Sequence, residues 1–290
     1  MNHSASQTSP VTTPTTAPPE QDKRPHAALQ WWRMLPFVAI HLGALIGLLG
    51  FFSWPALVLA IGLYIIRMFA VTAGYHRYFS HRTFKTSRAF QLLLAFLAQT
   101  SAQLGTLSWA ARHRWHHSCS DQAGDVHSPV VSGFWYAHVL WMYQPDNKPD
   151  FKRIRDMARY PELRFLEQWA LLPAVILGVI CFIAMGWPGL LVGFFFSTVV
   201  LWHGTFTINS LAHLWGSRRY QTADTSRNNV WLALITLGEG WHNNHHHFPS
   251  CARQGHRWWE IDPTYYLLRL LAAFGIIWDI KEYRAAARRS

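Results

Sequence analysis

The sequence predicts an all-α membrane protein with four transmembrane helices in two hairpins, flanked by interfacial helices. Three observations predict it: two long runs without charge, basic residues confined to the loops on one side of those runs, and histidine motifs gathered on that same side. Composition agrees. Of 290 residues, 50% are hydrophobic and only 14% charged, against about 25% charged in ordinary soluble domains. Sixteen Trp and eighteen Phe add an aromatic excess.

Taken in order, residues 1–30 are expected to form a disordered tail. Up to residue 25 the chain is rich in Ser, Thr and Gln, holds five Pro, and has almost nothing apolar to set against its ordering entropy. With no apolar core it does not read as a secretory signal, and Glu20 and Asp22 oppose a transit peptide. Residues 31–280 are expected to form one membrane domain. Between Arg33 and Arg67 lie 33 residues without Asp, Glu, Lys or Arg, interrupted at Ser53-Trp54-Pro55, and apolar character continues to Tyr75. That is room for two crossings of about 20 residues each. From Gln168 to Ser217 run fifty more chargeless residues, broken at Gly186-Trp187-Pro188-Gly189, where Gly and Pro supply a turn. Buried helices of a soluble protein would carry amphipathic faces, whereas these runs are apolar all round.

Charge sets the expected orientation. The turns near Trp54 and Trp187 carry none, while Arg77–Arg88, Arg112–Arg114, Lys148–Arg164 and Arg218–Arg227 are basic. By the positive-inside rule these loops, and both termini, are cytoplasmic. The net charge of +11 is therefore a membrane-orientation signal before it is a nucleic-acid one. Ala89–Ala111 is chargeless too, but Gln91, Gln99, Thr100, Ser101 and Gln103 make it a poor crossing, and a single crossing there would split the basic loops between two sides. It is expected to be interfacial or re-entrant. Phe134–Tyr143, short and aromatic, is expected at the interface. Residues 281–290 form a basic C-terminal tail in which Arg284, Arg288 and Arg289 meet anionic headgroups.

Seventeen histidines outnumber the fifteen carboxylates, so a site dominated by carboxylates is a poor first guess. Three isolated cysteines, Cys119, Cys181 and Cys251, exclude a disulfide framework and an ordinary zinc ribbon. The histidines fall into boxes: His76-Arg-Tyr-Phe-Ser-His81, His113-Arg-Trp-His116-His117, His242-Asn-Asn-His245-His246, and Asn209-Ser-Leu-Ala-His213. On a helix, positions i, i+3 and i+4 lie within about 100° of one another, so each H-x-x-H-H aims three imidazoles into one wedge. Two facing wedges can hold two metals, which predicts a cytoplasmic histidine-rich cap over the helices. The i, i+5 pair of the first box diverges by roughly 140° on a continuous helix, which places His81 beyond the helix end. Imidazole suits Zn, Cu, Fe or Ni, so the ligand type alone leaves the metal open. No H-E-x-x-H is present, and the soluble di-iron carboxylate class needs Glu-x-x-His twice, whereas only Glu239-x-x-His242 fits. His3, His26, His41, His127, His138, His247 and His256 read as surface or satisfied core residues. His203 lies inside an expected crossing, where an ionisable group is a functional candidate by default.

On His76-Arg-Tyr-Phe-Ser-His81-Arg-Thr-Phe-Lys, Arg112-His-Arg-Trp-His-His, Asp125-Val-His-Ser-Pro, Asn209-Ser-Leu-Ala-His213 and Gly238-Glu-Gly-Trp-His-Asn-Asn-His-His-His-Phe-Pro249, the chain resembles the integral-membrane fatty acyl desaturases. The resemblance spans roughly Trp31 to Trp278 and is nearest to bacterial acyl-CoA Δ9 desaturases of the stearoyl-CoA type. It implies two irons held by histidines alone, one by His76, His81, His113, His117 and His246, the other by His116, His213, His242 and His245 with Asn209 through a water. It implies O2-dependent insertion of a cis double bond into a saturated acyl chain, with Trp109 near the acyl tunnel and Arg112 near the head group. It further implies a multi-pass protein of a bacterial inner membrane with a cytoplasmic active site. Electrons would come from a separate ferredoxin, rubredoxin or cytochrome b5-like protein, since no redox domain is appended.

One departure bears on the acyl-CoA expectation. After His138-Val-Leu-Trp the animal enzymes carry a basic pair, and here stand Tyr143-Gln144-Pro145-Asp146, with Lys148, Lys152, Arg153 and Arg155 following. Acyl chains on phospholipid or carrier protein are the alternative substrates. A histidine-box hydroxylase is the alternative enzyme, and a histidine-rich metal transporter the alternative outside enzymes.

Overall fold

The structure is a computed structural model and describes residues 29–145 and 148–283. The tails expected at 1–30 and 281–290 fall, but for Leu29, Gln30 and residues 281–283, outside the described residues.

Among the described residues, three helices are long and apolar enough to cross a membrane: Trp31–Gly50, Trp54–Ser80 and Leu172–His213. In the first, a short 3-10 turn Trp31–Met34 leads into α1 (Leu35–Gly50). Ser53 accepts a hydrogen bond from the Ala56 backbone N–H, and Pro55 at the first turn fits a helix start, so α2 (Trp54–Phe69) begins where Ser-Trp-Pro predicts. A wider helical turn, Ala70–Ser80, continues α2 without a break.

The third helix, 42 residues long, is where the expectation of four separate helices meets the structure. Gly186 has φ 60° and ψ −147°, values foreign to any helix and tolerable for glycine alone. The chain doubles back there. Gly178 meets the Phe194 ring eight residues on either side of the bend, so α9 (Leu172–Trp187) and its continuation through Pro188–Phe196 into α10 (Ser197–Asn209) are antiparallel arms. Outward residues of these helices are bare and apolar, with Leu49 81%, Val58 68% and Ile183 77% exposed, which is the surface lipid covers.

Between the two long pairs, α3 (Arg88–Gln99) and α4 (Thr106–Ser118) form a helical hairpin over the stretch expected to be interfacial or re-entrant. Ala102 and Leu104 take positive φ in its turn. The tip reaches deep into the bundle: Arg67 of α2 donates to the Thr100 carbonyl, and the Trp202 indole donates to the Ser101 carbonyl at 2.8 Å. Arg67, 1% exposed, also donates to Ser197 and Thr198, so its guanidinium ties α2, the hairpin and the second long pair together.

Short helices cap one end: α5 (Pro129–Ser132), α6 (Phe134–His138), α7 (Arg155–Ala158), α8 (Pro161–Gln168), α11 (Val230–Ile235) and α12 (His242–His247), then α13 (Pro263–Ala273). The all-α expectation holds but for two antiparallel two-residue strands, β1 (Lys85–Thr86) and β2 (Ile277–Trp278). With Lys281 donating to the Thr83 carbonyl, they staple the C-terminal segment beside His81. The three cysteines are free thiols.

Candidate metal centre

The histidine boxes reach the cap from four directions. His76 lies in the wide turn continuing α2, and the His81 backbone N–H closes an i→i+5 bond to the His76 carbonyl at 3.2 Å. That spacing brings residues five apart onto one side, so the pair that would diverge on a regular α-helix stands with ring centroids 4.9 Å apart. His113, His116 and His117 come from α4, His213 from the turn after α10, and His242, His245 and His246 from α12.

α4 is held at both ends. Glu167 accepts from the backbone N–H groups of Leu107 and Ser108 at 2.9 and 3.1 Å, capping its N-terminus. Gly105 permits this, since a Cβ there would overlap the Glu167 carboxylate. Near the other end Arg114 donates to the carbonyls of Phe79, Ser80 and Arg153, each at 2.8 Å, locking the second box to the first. α12, six residues long, is held by the two asparagines inside its box, for which the sequence suggested no role. Asn243 accepts from the backbone N–H groups of Arg219 and Tyr220, and Asn244 donates to Glu260 and to the Gln254 carbonyl.

The nine imidazoles fall into two groups whose ligand atoms lie within 4.8 Å of one another: His76, His81, His113, His117 and His245, and His116, His213, His242 and His246. All nine expected ligands are brought together, but the split implied by the resemblance is corrected at one point. His245 belongs with the first group and His246 with the second. The reason is helical phase. Within each H-x-x-H-H the i, i+4 pair shares one group, His113 with His117 and His242 with His246, and the middle histidine crosses to the other. The two boxes thus exchange their middle members.

Carboxylates fix the ring orientations. Nδ1 of His76 lies 2.5 Å from Glu239, that of His116 2.9 Å from Asp125, that of His213 2.8 Å from Asp121 and that of His246 2.6 Å from Asp224. Sequence reasoning set carboxylates aside as ligands. They stand instead behind the ligands, and the Asp125-Val-His-Ser-Pro and Gly238-Glu-Gly motifs were the available signals for two of them. Glu239 is in turn clamped by Arg77, 1% exposed, which also donates to Asp262 at 2.9 and 3.1 Å.

Burial raises the pKa of each of the four carboxylates, yet the attraction and hydrogen bonds of the facing imidazoles outweigh it, Arg77 adding to His76 at Glu239. All four end below the usual carboxylate range, Glu239 at about 2. Burial, helped by mutual repulsion, holds His81, His113, His117, His242 and His245 well below the ordinary imidazole value. These rings are neutral, the state in which imidazole ligates.

The donor set fits metal ions. An Nδ1–H given to a carboxylate leaves Nε2 a bare lone pair. Across the site Nε2 atoms crowd together: His76 to His245, His113 to His117 and His117 to His245 at 3.0 Å, His81 to His113 at 2.8 Å, and His213 to His242 at 3.1 Å. Two unprotonated nitrogens at such a distance repel unless a cation lies between, and ligand nitrogens about 2.0–2.1 Å from one ion at right angles stand ~3 Å apart. The Nε2 of His246, directed away from Asp224, is buried without a partner.

An apolar cavity opens against this centre, walled by Met68, Val71, Trp109, Ile208 and Asn209 and bounded by His76, His113, His116 and His242. Trp109 lines this cavity, and Asn209 lines the wall shared with His116 and His242. Arg112 is off that wall, half-buried within electrostatic reach of Glu167. His127, read as a bland core residue, lies tilted against His116 with centroids 4.4 Å apart and donates its backbone N–H to Asp125. His247 is exposed and stacks on Tyr220, and His256 stacks on Tyr283. His3 and His26 lie outside the described residues.

Comparison with known proteins bears on what such a centre serves. Residues 52–279 match the family model described as fatty acid desaturase. The sn-2 palmitoyl-lipid 9-desaturase of Nostoc sp. is 35% identical over 266 residues, covering 89% of this chain and 92% of the relative. The sn-1 stearoyl-lipid 9-desaturase of Synechocystis sp. is 37% identical over 270 residues, covering 92% and 85%. Delta-9 acyl-lipid desaturase 2 of Arabidopsis thaliana is 35% identical over 289 residues, covering 95% and 94%. Those matches set the transporter alternative aside, and with nine histidines gathered at one end of an apolar cavity they make this chain an oxidoreductase of the fatty acid desaturase family, among the Δ9 fatty acyl desaturases.

Proposed function

We propose that residues 31–280 form an O2-dependent desaturase that places a cis double bond at Δ9 of a saturated acyl chain carried on a membrane lipid. The observation that carries the reading is the pair of imidazole groups beside an apolar cavity, the first backed by Glu239 and the second by Asp121, Asp125 and Asp224. His76, His81, His113, His117 and His245 would hold one iron and His116, His213, His242 and His246 the other, with Asn209 reaching the second through a water. Bound irons and O2 would supply an oxidant strong enough for unactivated C–H bonds, which no side chain attacks. The chain's own part is placement: Met68, Val71, Trp109 and Ile208 grip methylenes and exclude water, so the carbons held beside the histidines are the ones oxidised. The carboxylates hold the Nδ1 protons of His76, His116, His213 and His246 in place, so the Nε2 of each of these four stays aimed inward. Arg112 is assigned to the head-group side.

The lipid head group is preferred to acyl-CoA because the similar proteins are named as acyl-lipid desaturases, and because Tyr143–Asp146 offers no basic pair. Four crossings, a cytoplasmic centre in a bacterial inner membrane and a separate one-electron donor protein complete the reading.

Gas chromatography with mass spectrometry of total fatty acids tests it, comparing a host with the intact chain to one with His245→Ala. A new monounsaturated acid, present only with the intact chain and formed in membranes washed free of CoA, supports the proposal. Product that requires added acyl-CoA overturns the lipid head group. Oxygen-18 from labelled O2 appearing in the acyl chain overturns desaturation in favour of hydroxylation.

A further inference from the structure

Three histidines outside the metal centre, two of them within the long apolar helices, form an unbroken row. His41 Nδ1 donates to the Phe37 carbonyl at 2.8 Å, and His41 Nε2 faces His203 Nε2 at 3.0 Å. His203 Nδ1 faces His138 Nε2 at 3.0 Å, His138 Nδ1 faces the Ser210 hydroxyl at 2.9 Å, and that hydroxyl reaches the Phe206 carbonyl at 2.9 Å. Both nitrogens of every ring are engaged in sequence. A proton entering one side of each imidazole can therefore leave by the other, which is how imidazole conducts. The nitrogens meet end to end rather than converging on a point, so the row is no metal site.

Counting protons gives the row a purpose. It begins and ends on carbonyl oxygens, which only accept, and it contains five links. Three neutral imidazoles and one hydroxyl bring four protons, one per group. A neutral row must leave one link as two lone pairs in contact, while one added proton satisfies all five. The surroundings are aromatic: Phe37 and Trp202 flank His41, Phe134 stacks on His138, and Phe206 meets His138 and His203. Among the described residues, His41 and His138 are the ionisable groups acting on His203. Such a neighbourhood opposes a charge through desolvation, and the completed row of hydrogen bonds opposes its loss.

The two ends differ. His41 is half-exposed on α1, whereas Ser210 is fully buried and follows Asn209, which lines the catalytic cavity. The Ser210 carbonyl accepts the backbone N–H of His213, one turn from the centre. We propose that His41, His203 and His138 form a proton-conducting row that holds one excess proton and passes it from the α1 side of the bundle as far as the hydroxyl of Ser210, the next residue in the chain after Asn209 of the cavity wall. The destination rests on the reading above. Removing two hydrogens from the acyl chain while O2 becomes two waters consumes two electrons from the donor protein and two protons from the medium, and a mostly apolar cavity needs a route for them.

The row is tested by imidazole nitrogen-15 NMR of the full-length protein in lipid nanodiscs between about pH 5 and 8. One imidazolium belonging to the row, present beyond the titration of the other histidines, is expected in the wild-type protein and is lost in His203→Gln, since glutamine keeps a donor and an acceptor but takes no proton. Superimposable titrations of the two proteins overturn the proposal. In the second measurement, His203→Gln and His41→Gln each lower turnover ~10-fold or more, the lower end of what a positioned proton donor contributes. KM for the acyl substrate stays unchanged, the solvent deuterium isotope effect increases, and added imidazole partly restores His41→Gly. Wild-type turnover and isotope effect in both glutamine variants overturn the relay. An imidazolium in a protein that desaturates no acyl chain supports the proton site and overturns the desaturase reading instead.

Discussion

At the residue scale, orientation counts as much as ligand identity. Each imidazole with a carboxylate behind it has one tautomer available and so one nitrogen to offer, and a carboxamide in place of the carboxylate no longer enforces that tautomer. Asp125→Asn and Asp121→Asn are expected to lower metal affinity by ~10–100-fold without unfolding the chain, read as metal retained against a competing chelator. His245→Ala removes one nitrogen from the five-membered group and is expected to abolish turnover while the protein still purifies as a folded membrane protein. His247→Ala, next along but exposed and stacked on Tyr220, leaves turnover within about twofold, as surface substitutions usually do. Full activity in the first variant, or none in the second, would contradict the grouping. The repeated H-x-x-H-H spacing made six of the nine histidines legible, and the His76…His81 and Asn209…His213 motifs the other three. Which middle histidine joins which group depends on the mutual rotation of α4 and α12, and no spacing within one helix encodes that.

At the element scale, two glycines make the architecture possible. Gly186 adopts a backbone conformation closed to other residues, and Gly186→Ala is expected to destabilise the α9–α10 hairpin by ~1–3 kcal/mol, seen as a lower apparent melting temperature in detergent. Gly105→Ala pushes the Glu167 carboxylate off the N-terminus of α4, at a cost of ~1 kcal/mol, and loosens the helix bearing three ligands, so both thermal stability and metal retention should fall. The hairpin turn was legible from Gly-Trp-Pro-Gly, because Gly and Pro interrupt an otherwise uniform apolar run. The Glu167 cap was not, because it joins residues sixty positions apart.

At the scale of the whole molecule, lipid-facing helices surround a polar interior whose hinge is Arg67. Removing it leaves the Thr100 carbonyl and two hydroxyls without their donor in a dry interior. Arg67→Leu is expected to destabilise by ~1–3 kcal/mol, measured by thermal denaturation in nanodiscs. Orientation is checked by cysteine labelling in sealed vesicles from a cysteine-free background. A membrane-impermeant reagent should reach Phe52→Cys from the periplasmic side and Trp258→Cys, 84% exposed, only from the cytoplasmic side. Labelling of both from one side would overturn the two-hairpin topology.

By itself the sequence determined the membrane class, the four apolar arms, the basic side and the set of nine histidines, because charge, hydropathy and helical spacing are local properties of a chain. Only the tertiary structure decided the exchange of His245 and His246, the carboxylates behind the ligands, how far the α3–α4 hairpin reaches into the bundle and the row from His41 to Ser210. Each depends on residues brought together from distant positions, His41 and His203 being 162 apart. Such pairings arise when helices pack, and hydropathy, which reads each stretch by itself, carries no record of them.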